Sequence, residues 1–484
     1  MRSARVDDTW RRLSKKKYST KIESIEITKL NRFYDQTIHF SGSITALCGL
    51  NGSGKSTFLH SIYLLISKSN GTEEMEDTYK RINFNKLEGI LSHNNDEIEI
   101  NYSKDESSDE EILKTEINLA FLDTSYQVPS LIKRFAEFRD IESLLDGSDP
   151  VVLDNDEIKH INYILGKEYS VCEIYELELD DKIFPYFRVS DNSLNYGTEN
   201  MGHGEVAALY IYWKLKSSRN NSIFLIEEPE TYLSTLSQKK IMNVIANFSL
   251  QKSLTVILTT HSSEILTKIP VQDIKLFIED FNNRLIQLSN AVDRREYLSS
   301  LGLTPPKKGV ILVEDNVAAI VLEHLLMSRA RNIDLDYEIV KWKSESEIQT
   351  TLKNFPIDIS WFNLYGVFDG DQRDNVKIIE RSISRDRFAF LPGKHPFEVQ
   401  CQKIINDNVN KFSDYSRVEI RKINEALKLI KGEDIHDWLL DLSKHLRLDL
   451  SNLVKICFDI SMEVDLDFKN DEKASFEDIS KFFR

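Results

Sequence analysis

The spacing of hydrophobic and polar positions changes along the chain and marks out two α/β regions. Alternating runs at 21–28 and 43–48 predict strands, and the second leads directly into a glycine-rich turn. From Gly204 onward, apolar positions at helical spacing alternate with apolar-rich runs at 222–226 and 254–260. Alternating helices and strands predict a parallel sheet with helices on both faces, so the predicted fold class is α/β.

A polar stretch from Asp293 to Lys308, which contains Pro305 and Pro306, predicts a linker. The α/β pattern then restarts, with strands predicted at 309–313, 337–342, 363–369 and 387–391 and a helix at 316–330. The acidic stretch 105–111 predicts a solvated loop. The expected parts are a basic arm (1–20), a first α/β domain (21–300, with an insertion at about 70–195), a smaller α/β domain (301–404) and a helical C-terminal region (405–484).

Composition narrows the classes of protein. No apolar run approaches the roughly 18 residues of a membrane span, and the basic N-terminus lacks the apolar core of a secretory signal, so we expect a cytoplasmic protein. The four cysteines have no C-x-x-C spacing, which argues against a zinc site or a disulfide framework. The net charge of −16 implies that any contact with DNA needs a local basic groove, a metal or a partner.

The turn after the second strand has the G-x-x-x-x-G-K-[ST] pattern of a phosphate-binding loop and is followed by an amphipathic helix. Glycines let successive N–H groups face the phosphates, while Lys55 would neutralise them and Ser56 would bind Mg²⁺. The residues predicted to contact ATP here are Gly49, Asn51, Gly52, Ser53, Gly54, Lys55, Ser56 and Thr57.

Acidic residues follow the strand at 222–226. We expect Glu227 to hold the Mg²⁺ shell and Glu228 to act as the base that orients the attacking water. The next predicted strand ends at His261, where an imidazole could sense the γ-phosphate. Because parallel strands end at one edge of their sheet, these groups are predicted to meet the phosphate loop.

The wording IEEPE followed by TTHSSEIL, together with the phosphate loop, resembles the ABC/SMC ATPases, and specifically the heads of the overcoming-lysogenization-defect (OLD) family, over about residues 21–267. No sustained heptads occur, so a compact head is expected rather than long coiled-coil arms. The resemblance implies a homodimer or higher homo-oligomer in which the signature segment 201–205 completes the partner's ATP site through Gly202, Gly204 and Glu205. Gly202 replaces the usual serine, which suggests slow or partner-dependent hydrolysis. Gln127 is a further candidate for contact with Mg²⁺ and water.

In the second α/β region, strand ends carry Glu314 and then Asp369 and Asp371. Residues two apart leave a strand on the same side, so the two aspartates could share Mg²⁺ or Mn²⁺, although D-G-D is also typical of a turn. The arrangement resembles the Toprim domain over about 308–400, which implies catalytic roles for Glu314, Asp369, Asp371 and Lys394. Asp315 and Ala318 depart from the family pattern, so a ligand is missing unless Asp315 or Glu323 replaces it.

The resemblance implies an ATP-regulated, metal-dependent DNA endonuclease used against phage or plasmid DNA. The alternative is an ATPase switch or scaffold whose Toprim-like domain is inactive and which holds or activates a separate nuclease or toxin. A third interpretation is a DNA-repair ATPase of the SMC or RecF kind without nuclease activity. Plasmid cleavage by the purified chain distinguishes the first interpretation from the other two.

Overall fold

The protein is described from a computed structural model that covers residues 3–70, 82–94, 96–103, 117–191, 194–280, 282–329, 336–356, 359 and 362–483. Contacts divide it into two compact units, one ending at Thr304 and the other beginning at Pro305. The acidic stretch 105–111, predicted as a loop, lies outside the described residues. None of the helices in the described part of the chain combines the length and apolar character needed to cross a bilayer.

The first unit is organised around a six-stranded sheet. Its strand order is β14-β13-β3-β12-β11-β6, parallel except for the terminal strand β14. The strands are β3 (Ile44–Cys48), β6 (Leu119–Asp123), β11 (Ile223–Glu227), β12 (Thr255–Thr260), β13 (Ile274–Glu279) and β14 (Ile286–Asn290). Every residue of β3, β11 and β12 is buried, as expected for parallel strands covered on both faces.

Eight further strands of the first unit form two antiparallel sheets. One has the order β2-β1-β4-β5 and the other β10-β9-β8-β7. Their bounds are β1 (Thr20–Thr28), β2 (Gln36–His39), β4 (Lys86–His93), β5 (Asp96–Ser103), β7 (Val151–Val152), β8 (Val171–Leu179), β9 (Lys182–Ser190) and β10 (Asn195–Gly197). The segment expected as an insertion therefore contributes strands to all three sheets of this unit.

Helices of the first unit cover the central sheet and connect its strands. They are α1 (Ser3–Leu13), α2 (Lys55–Ser69), α3 (Thr124–Ala136), α4 (Ile141–Leu145), α5 (Asn155–Leu165), α6 (His203–Ser217), α7 (Thr235–Lys252), α8 (Ser263–Leu266) and α9 (Arg294–Ser300). The predicted helices after Gly204 and before β12 are confirmed as α6 and α7.

Two segments of this unit contain helices that the sequence pattern did not predict. The N-terminal arm is largely the helix α1, because Val6 and Leu13 are buried and the Trp10 indole donates a hydrogen bond to Asn243 (2.9 Å). The expected linker contains α9, which is anchored by buried Tyr297 and Leu298. In both segments the few buried apolar residues lie among polar ones, so the sequence shows no clear helical periodicity.

The second unit has a parallel four-stranded sheet of order β16-β15-β17-β18. The strands are β15 (Gly309–Val313), β16 (Tyr337–Lys341), β17 (Asn363–Phe368) and β18 (Phe388–Phe390), which confirms the predicted strands. Its helices are α10 (Asn316–Arg329), α11 (Glu345–Asn354), α12 (Val376–Ile379), α13 (Phe397–Asp407), α14 (Val409–Ser416), α15 (Ile420–Leu429), α16 (Ile435–Leu446), α17 (Leu450–Val464) and α18 (Leu466–Ile479).

One hydrophobic core runs through the sheet and the C-terminal helices of this unit. It joins Val313 and Val367 of the sheet to Leu322 of α10 and Phe458 of α17. The boundary expected at 404 falls inside α13. Residues 405–484 are therefore part of the second unit's compact body rather than a separate tail.

Candidate nucleotide site and acidic cluster

The loop between β3 and α2 has the backbone shape that its glycines allow. Gly52 and Gly54 have φ angles of 76° and 90°, in the left-handed region that favours glycine. A Cβ on Gly54 would also lie 2.6 Å from the ring of Phe33. The loop then enters α2 at Lys55, so N–H groups of the first helical turn are available to an anion.

Two side chains of this loop fit a phosphate ligand. Lys55 is buried, and its Nζ donates to the carbonyls of Gly49 and Leu50, both at 2.9 Å. Burial lowers the Lys55 pKa, opposed by nearby charges of which Glu228 is the largest. The Ser53 hydroxyl is buried and has no hydrogen-bond partner among the described residues. An oxyanion in the loop would give both groups an acceptor.

Glu227, the last residue of β11, lies beside the start of α2. Its Oε2 is 3.2 Å from Nε2 of His60, and interactions with His60 and Ser56 favour its charged form. Burial opposes the charge of Glu227, but these contacts outweigh burial and lower its pKa. The structure thus brings together Ser56 and Glu227, the two residues predicted to hold Mg²⁺.

Glu228 has a strained backbone that is held from two sides. Its φ of 45° is unusual for a residue with a side chain, and such strain costs on the order of 1 kcal/mol or more. The N–H of Glu228 donates to the Thr259 hydroxyl (3.1 Å), and its carbonyl accepts from the Thr124 hydroxyl (2.7 Å). These contacts from neighbouring strands fix the direction in which the Glu228 carboxylate leaves the sheet.

His261 follows β12 at the same edge of the sheet. Its Nδ1 lies 3.4 Å from Oε1 of Glu228 and 3.6 Å from Oε1 of Glu230. The Glu230 carboxylate is buried, and Oε1 accepts hydrogen bonds from the Thr260 hydroxyl (2.7 Å) and the His261 N–H (2.9 Å). Burial raises the Glu230 pKa despite these bonds. Glu230 therefore positions the His261 backbone.

A cavity of about 380 Å³ joins these elements. It is lined by Asn51, Gly52, Gly54, Lys55, Ser56, Thr57, Glu228 and His261. Every one of these residues was predicted from sequence as part of the ATP site. Gly49 and Ser53 belong to the same loop, and Glu227 reaches it through Ser56.

Gln127 lies elsewhere. It is in the first turn of α3, where its Oε1 accepts the Asp123 N–H (3.0 Å), and it lines a different cavity. Its side chain therefore stabilises the β6–α3 junction. The structure does not bring this candidate to the phosphate loop.

The segment 201–205 forms the start of α6 and does not line the phosphate-loop cavity of its own chain. Glu205 accepts from the Gly202 N–H (3.0 Å) and the Tyr196 hydroxyl (2.7 Å), and it also contacts Lys167 and Tyr169. Burial opposes its charge, but these donors prevail and lower the Glu205 pKa to about 2. Glu205 is thus an anion used inside its own chain, and as such it is a poor ligand for phosphate.

Gly204 lies where α6 meets the segment after β11. A Cβ there would be 2.7 Å from the Tyr232 carbonyl oxygen, so a side chain would force the two segments apart. The His203 and Tyr232 rings pack at 5.0 Å between centroids. The start of α6 is therefore packed against the segment that follows Glu227 and Glu228.

Sequence reasoning missed four residues that support the site: His60, Thr124, Thr259 and Glu230. His60 had a usable signal, because it follows Ser56 by four residues in α2 and so shares its helix face. Glu230 follows Glu228 by two residues in the same acidic run. Thr124 had no such signal, because its role depends on the pairing of β6 with β11.

In the second unit, acidic residues gather near the ends of β15 and β17. Burial, and then the charges of Asp315, Glu398, Glu314 and Asp371, raise the Asp369 pKa to about 8. Oδ1 of Asp371 is buried without a hydrogen-bond partner among the described residues. A Cβ on Gly370 would lie 1.9 Å from the Gly393 carbonyl oxygen, so glycine is needed where these two loops meet.

The predicted metal ligands come near each other without forming a finished site. Within the described ranges, no three His, Cys, Asp or Glu side chains are arranged to hold a metal ion. The hard oxygens of Glu314, Asp369 and Asp371 suit Mg²⁺ or Mn²⁺ chemically, and the unpartnered Asp371 oxygen is consistent with a cation ligand. Lys394 is exposed, on the loop that follows β18.

A protein-family model matches residues 128–267 and is described as "AAA domain, putative AbiEii toxin, Type IV TA system". The matched stretch contains Glu227, Glu228, His261 and the segment 201–205. It does not include the phosphate loop or the second unit. No curated protein has a sequence that matches this chain significantly.

Solved structures similar to the chain include heads of SMC proteins. The SMC head domain from Thermotoga maritima has 12% identity and a TM-score of 0.37, and the match covers 56% of this chain and 100% of that one. An SmcHead bound to the C-winged helix domain of ScpA has 13% identity and a TM-score of 0.36, over 57% of this chain and 99% of that one. A Pyrococcus furiosus Smc head with an extended coiled coil, bound to the C-terminal domain of ScpA, has 12% identity and a TM-score of 0.36. That match covers 58% of this chain and 99% of that one.

The first unit thus combines a phosphate-loop cavity with a stretch that matches an AAA-domain family model.

Proposed function

We propose that this protein is a Mg·ATP-hydrolysing switch that works as a homodimer. The observation that carries the proposal is the single cavity in which the phosphate loop, Glu228 and His261 face one another. Phosphoryl transfer depends on positioning and charge stabilisation, and a cavity of this composition supplies both.

Each residue has a defined role in this proposal. Lys55 and the loop N–H groups bind the β- and γ-phosphates, while Ser56 and Glu227 hold Mg²⁺, which neutralises charge on the phosphates. Glu228 orients the attacking water, and His261 contacts the γ-phosphate. Thr124, Thr259 and Glu230 keep these groups in place through the bonds described above.

A second copy of the chain would complete the site with the start of α6. Since the Gly202 N–H already donates to Glu205, the trans contact would fall on the N–H groups of His203 and Gly204. The ionised Glu205 close to that helix end would weaken attraction for phosphate. We therefore expect slow basal turnover that a partner or DNA accelerates.

The test compares the wild type with Lys55→Ala and Glu228→Gln. Lys55→Ala should lose ATP binding, measured with a fluorescent ATP analogue. Glu228→Gln should bind Mg·ATP and accumulate dimer, measured by light scattering after size exclusion. Failure of the wild type to bind Mg·ATP, or monomeric Glu228→Gln at saturating ATP, would contradict the proposal.

The second unit supports a second candidate function, metal-dependent cleavage of DNA as in OLD-type nucleases. What favours it is the acidic cluster around Asp369 and the unpartnered oxygen of Asp371. Glu314, Asp369 and Asp371 would hold Mg²⁺ or Mn²⁺, which stabilises charge on a phosphodiester, and Lys394 would add a positive charge. Dimer closure in the first unit would then control access to this site, in a role directed against phage or plasmid DNA.

If the second unit has no nuclease activity, the ATPase would act through a separate protein. The toxin named in the family description fits an ATPase that holds or activates a separate toxin or nuclease. Plasmid is incubated with the purified chain and Mg²⁺ or Mn²⁺, beside Asp369→Ala and the exposed neighbour Asp374→Ala as matched control. Cleavage lost only in Asp369→Ala supports the nuclease, and an intact plasmid with every metal supports the switch with an external effector.

A further inference from the structure

A second cavity of the first unit lies at the opposite end of the central sheet from the nucleotide site. Its volume is about 430 Å³, and its lining includes Ile44 and Thr255, the first residues of β3 and β12. The same two strands lead to the phosphate loop and to His261 at their other ends. Strands of five or six residues place the two cavities roughly 15–20 Å apart.

Basic residues from the N-terminus dominate one wall of this cavity. The segment 11–21 contains six Lys and Arg residues and no acid, in a chain whose net charge is −16. Lys16, Lys17 and Lys21 line the cavity, and Arg12 and Lys15 are exposed beside it. Hydroxyl groups of Ser14, Ser41, Ser43 and Ser92 complete the polar lining.

These cations have few partners within the protein. Arg12, Lys15 and Lys17 form no ion pair among the described residues, and Lys21 pairs with Glu23 at 2.8 Å, with both side chains partly accessible to solvent. Lys16 donates to the Leu250 carbonyl, and burial together with the Arg12 charge lowers its pKa. Uncompensated positive charge at this wall favours an anionic ligand.

The lining of the cavity also includes one carboxylate, that of Asp273. Oδ1 of Asp273 accepts from the Ser41 hydroxyl at 2.7 Å, and the side chain packs beside Gly42. Burial raises the Asp273 pKa, against the Ser41 hydrogen bond and the charge of Lys275. The Asp273 carboxylate is thus hydrogen-bonded to Ser41 and forms no ion pair with the lysines of the N-terminal segment among the described residues.

We propose that this cavity and the basic segment beside it bind the phosphodiester backbone of DNA. A small phosphate compound would need only the cavity, whereas the cations continue outside it through Lys15 to Arg12 along the end of α1. Basic residues that continue along the chain beyond the cavity fit a polyanion, because each phosphate contact releases counterions. This inference rests on the proposed function and names the surface by which the ATPase holds DNA.

The experiment measures binding of fluorescein-labelled DNA by anisotropy between about 50 and 200 mM salt. The test variant is Lys15→Gln/Lys17→Gln/Lys21→Gln, and the matched control is Lys422→Gln/Lys428→Gln/Lys431→Gln, an equal charge change at exposed positions of the second unit. The test variant should bind at least about tenfold more weakly at low salt, with a log–log salt slope smaller by up to about 2.7, while the control stays within about twofold of wild type. Thermal unfolding checks that both variants are folded.

Equal DNA affinity of wild type and test variant overturns the inference. Tripolyphosphate that displaces DNA as effectively as unlabelled oligonucleotide at equal phosphate concentration also overturns it, because the cavity would then be a site for small anions. Basal ATP turnover is measured in the same preparations. Turnover without any DNA binding removes this inference and leaves the ATPase standing, whereas a wild type without turnover contradicts the proposed function itself.

Discussion

The carboxyl ends of the parallel strands carry acidic residues in both units, but their electrostatic surroundings are opposite. In the first unit, interactions of Glu227 with His60 and Ser56 lower its pKa against the effect of burial. In the second unit, burial and neighbouring acids raise the Asp369 pKa to about 8. Similar topology has therefore produced opposite surroundings for Glu227 at the edge of the first unit's sheet (the first edge) and for Asp369 at the edge of the second unit's sheet (the second edge).

The two edges therefore differ in how far their side chains are arranged for function before a ligand binds. The first edge contains its own cation, Lys55, and hydroxyl groups that hold the backbone of Glu228. Such an edge is preorganised before a nucleotide arrives. The second edge accumulates negative charge that only a proton or an added cation relieves. Variants that remove one acid from each edge should consequently have opposite effects.

The largest effect is expected for Glu228→Gln at the first edge. Loss of the group that orients water should reduce ATP turnover by about 10²–10⁴-fold, or roughly 3–5 kcal/mol in the barrier, with ATP binding retained. Phosphate release under saturating Mg·ATP measures this. Glu137→Gln, an exposed acid of the same unit, should leave turnover unchanged. Equal turnover in wild type and Glu228→Gln would remove Glu228 from the mechanism.

Glu205→Gln tests a carboxylate that accepts hydrogen bonds from several donors of its own chain. The variant should lose about 1.5–3 kcal/mol of stability at pH 7, since charge-assisted bonds to Lys167, Tyr169 and Tyr196 weaken. The folded pKa of about 2 lies below the ordinary 4.5, so this contribution is complete above about pH 4.5 and disappears as pH falls toward 2. Urea unfolding of wild type and variant across pH measures it.

The matched control for that experiment is Glu168→Gln, an exposed acid between Lys167 and Tyr169, two of the donors to Glu205. Its unfolding curve should follow that of wild type at every pH. A gap between Glu205→Gln and wild type that stays constant from pH 7 to pH 3 would show that packing, rather than charge, explains the role of Glu205.

Thr124→Val tests whether the Thr124 hydroxyl is needed to hold the first edge in its functional arrangement. The change keeps the shape of the side chain and removes the bonds to the carbonyls of Glu227 and Glu228 (3.3 and 2.7 Å). We expect a loss of about 1 kcal/mol in stability, and turnover lower by about tenfold because the strained Glu228 backbone can relax. Thr267→Val, which removes a hydroxyl–carbonyl bond outside the site, should lower stability alone.

The sequence predicted the parts of the first edge that depend on local chain order. Residues 49–57 form a loop whose shape depends on its own glycines, and Glu227, Glu228 and His261 are strand-end residues whose position follows from the parallel order. Thr124 and Thr259 could not be assigned, because their roles arise from which strands become neighbours. Gln127 was misplaced since a single polar residue after a strand has no pattern to separate a ligand from a cap.

The second edge was predicted less completely for a related reason. Strand ends located Glu314, Asp369 and Asp371, but the contributions of Asp315 and Glu398 to the field at Asp369 depend on how the loops pack. Spacing along the chain predicts the face of a strand from which a carboxylate side chain projects. It does not give the distance between carboxylates on different strands, which decides whether they bind an ion or repel one another.

Asp369→Asn should have the smallest effect and the opposite sign to Glu205→Gln. Asp369 makes no capping hydrogen bond to the short helix that follows it, so replacement by a neutral amide relieves acid repulsion at little cost in contacts. In chelator, the variant should unfold a few degrees higher than wild type, corresponding to about 1 kcal/mol for a unit of this size. Asp374→Asn, exposed on the same loop, should match wild type. Added Mn²⁺ should stabilise the wild type and not the variant, whereas a variant less stable than wild type in chelator would mean that the charges of the second edge are already balanced.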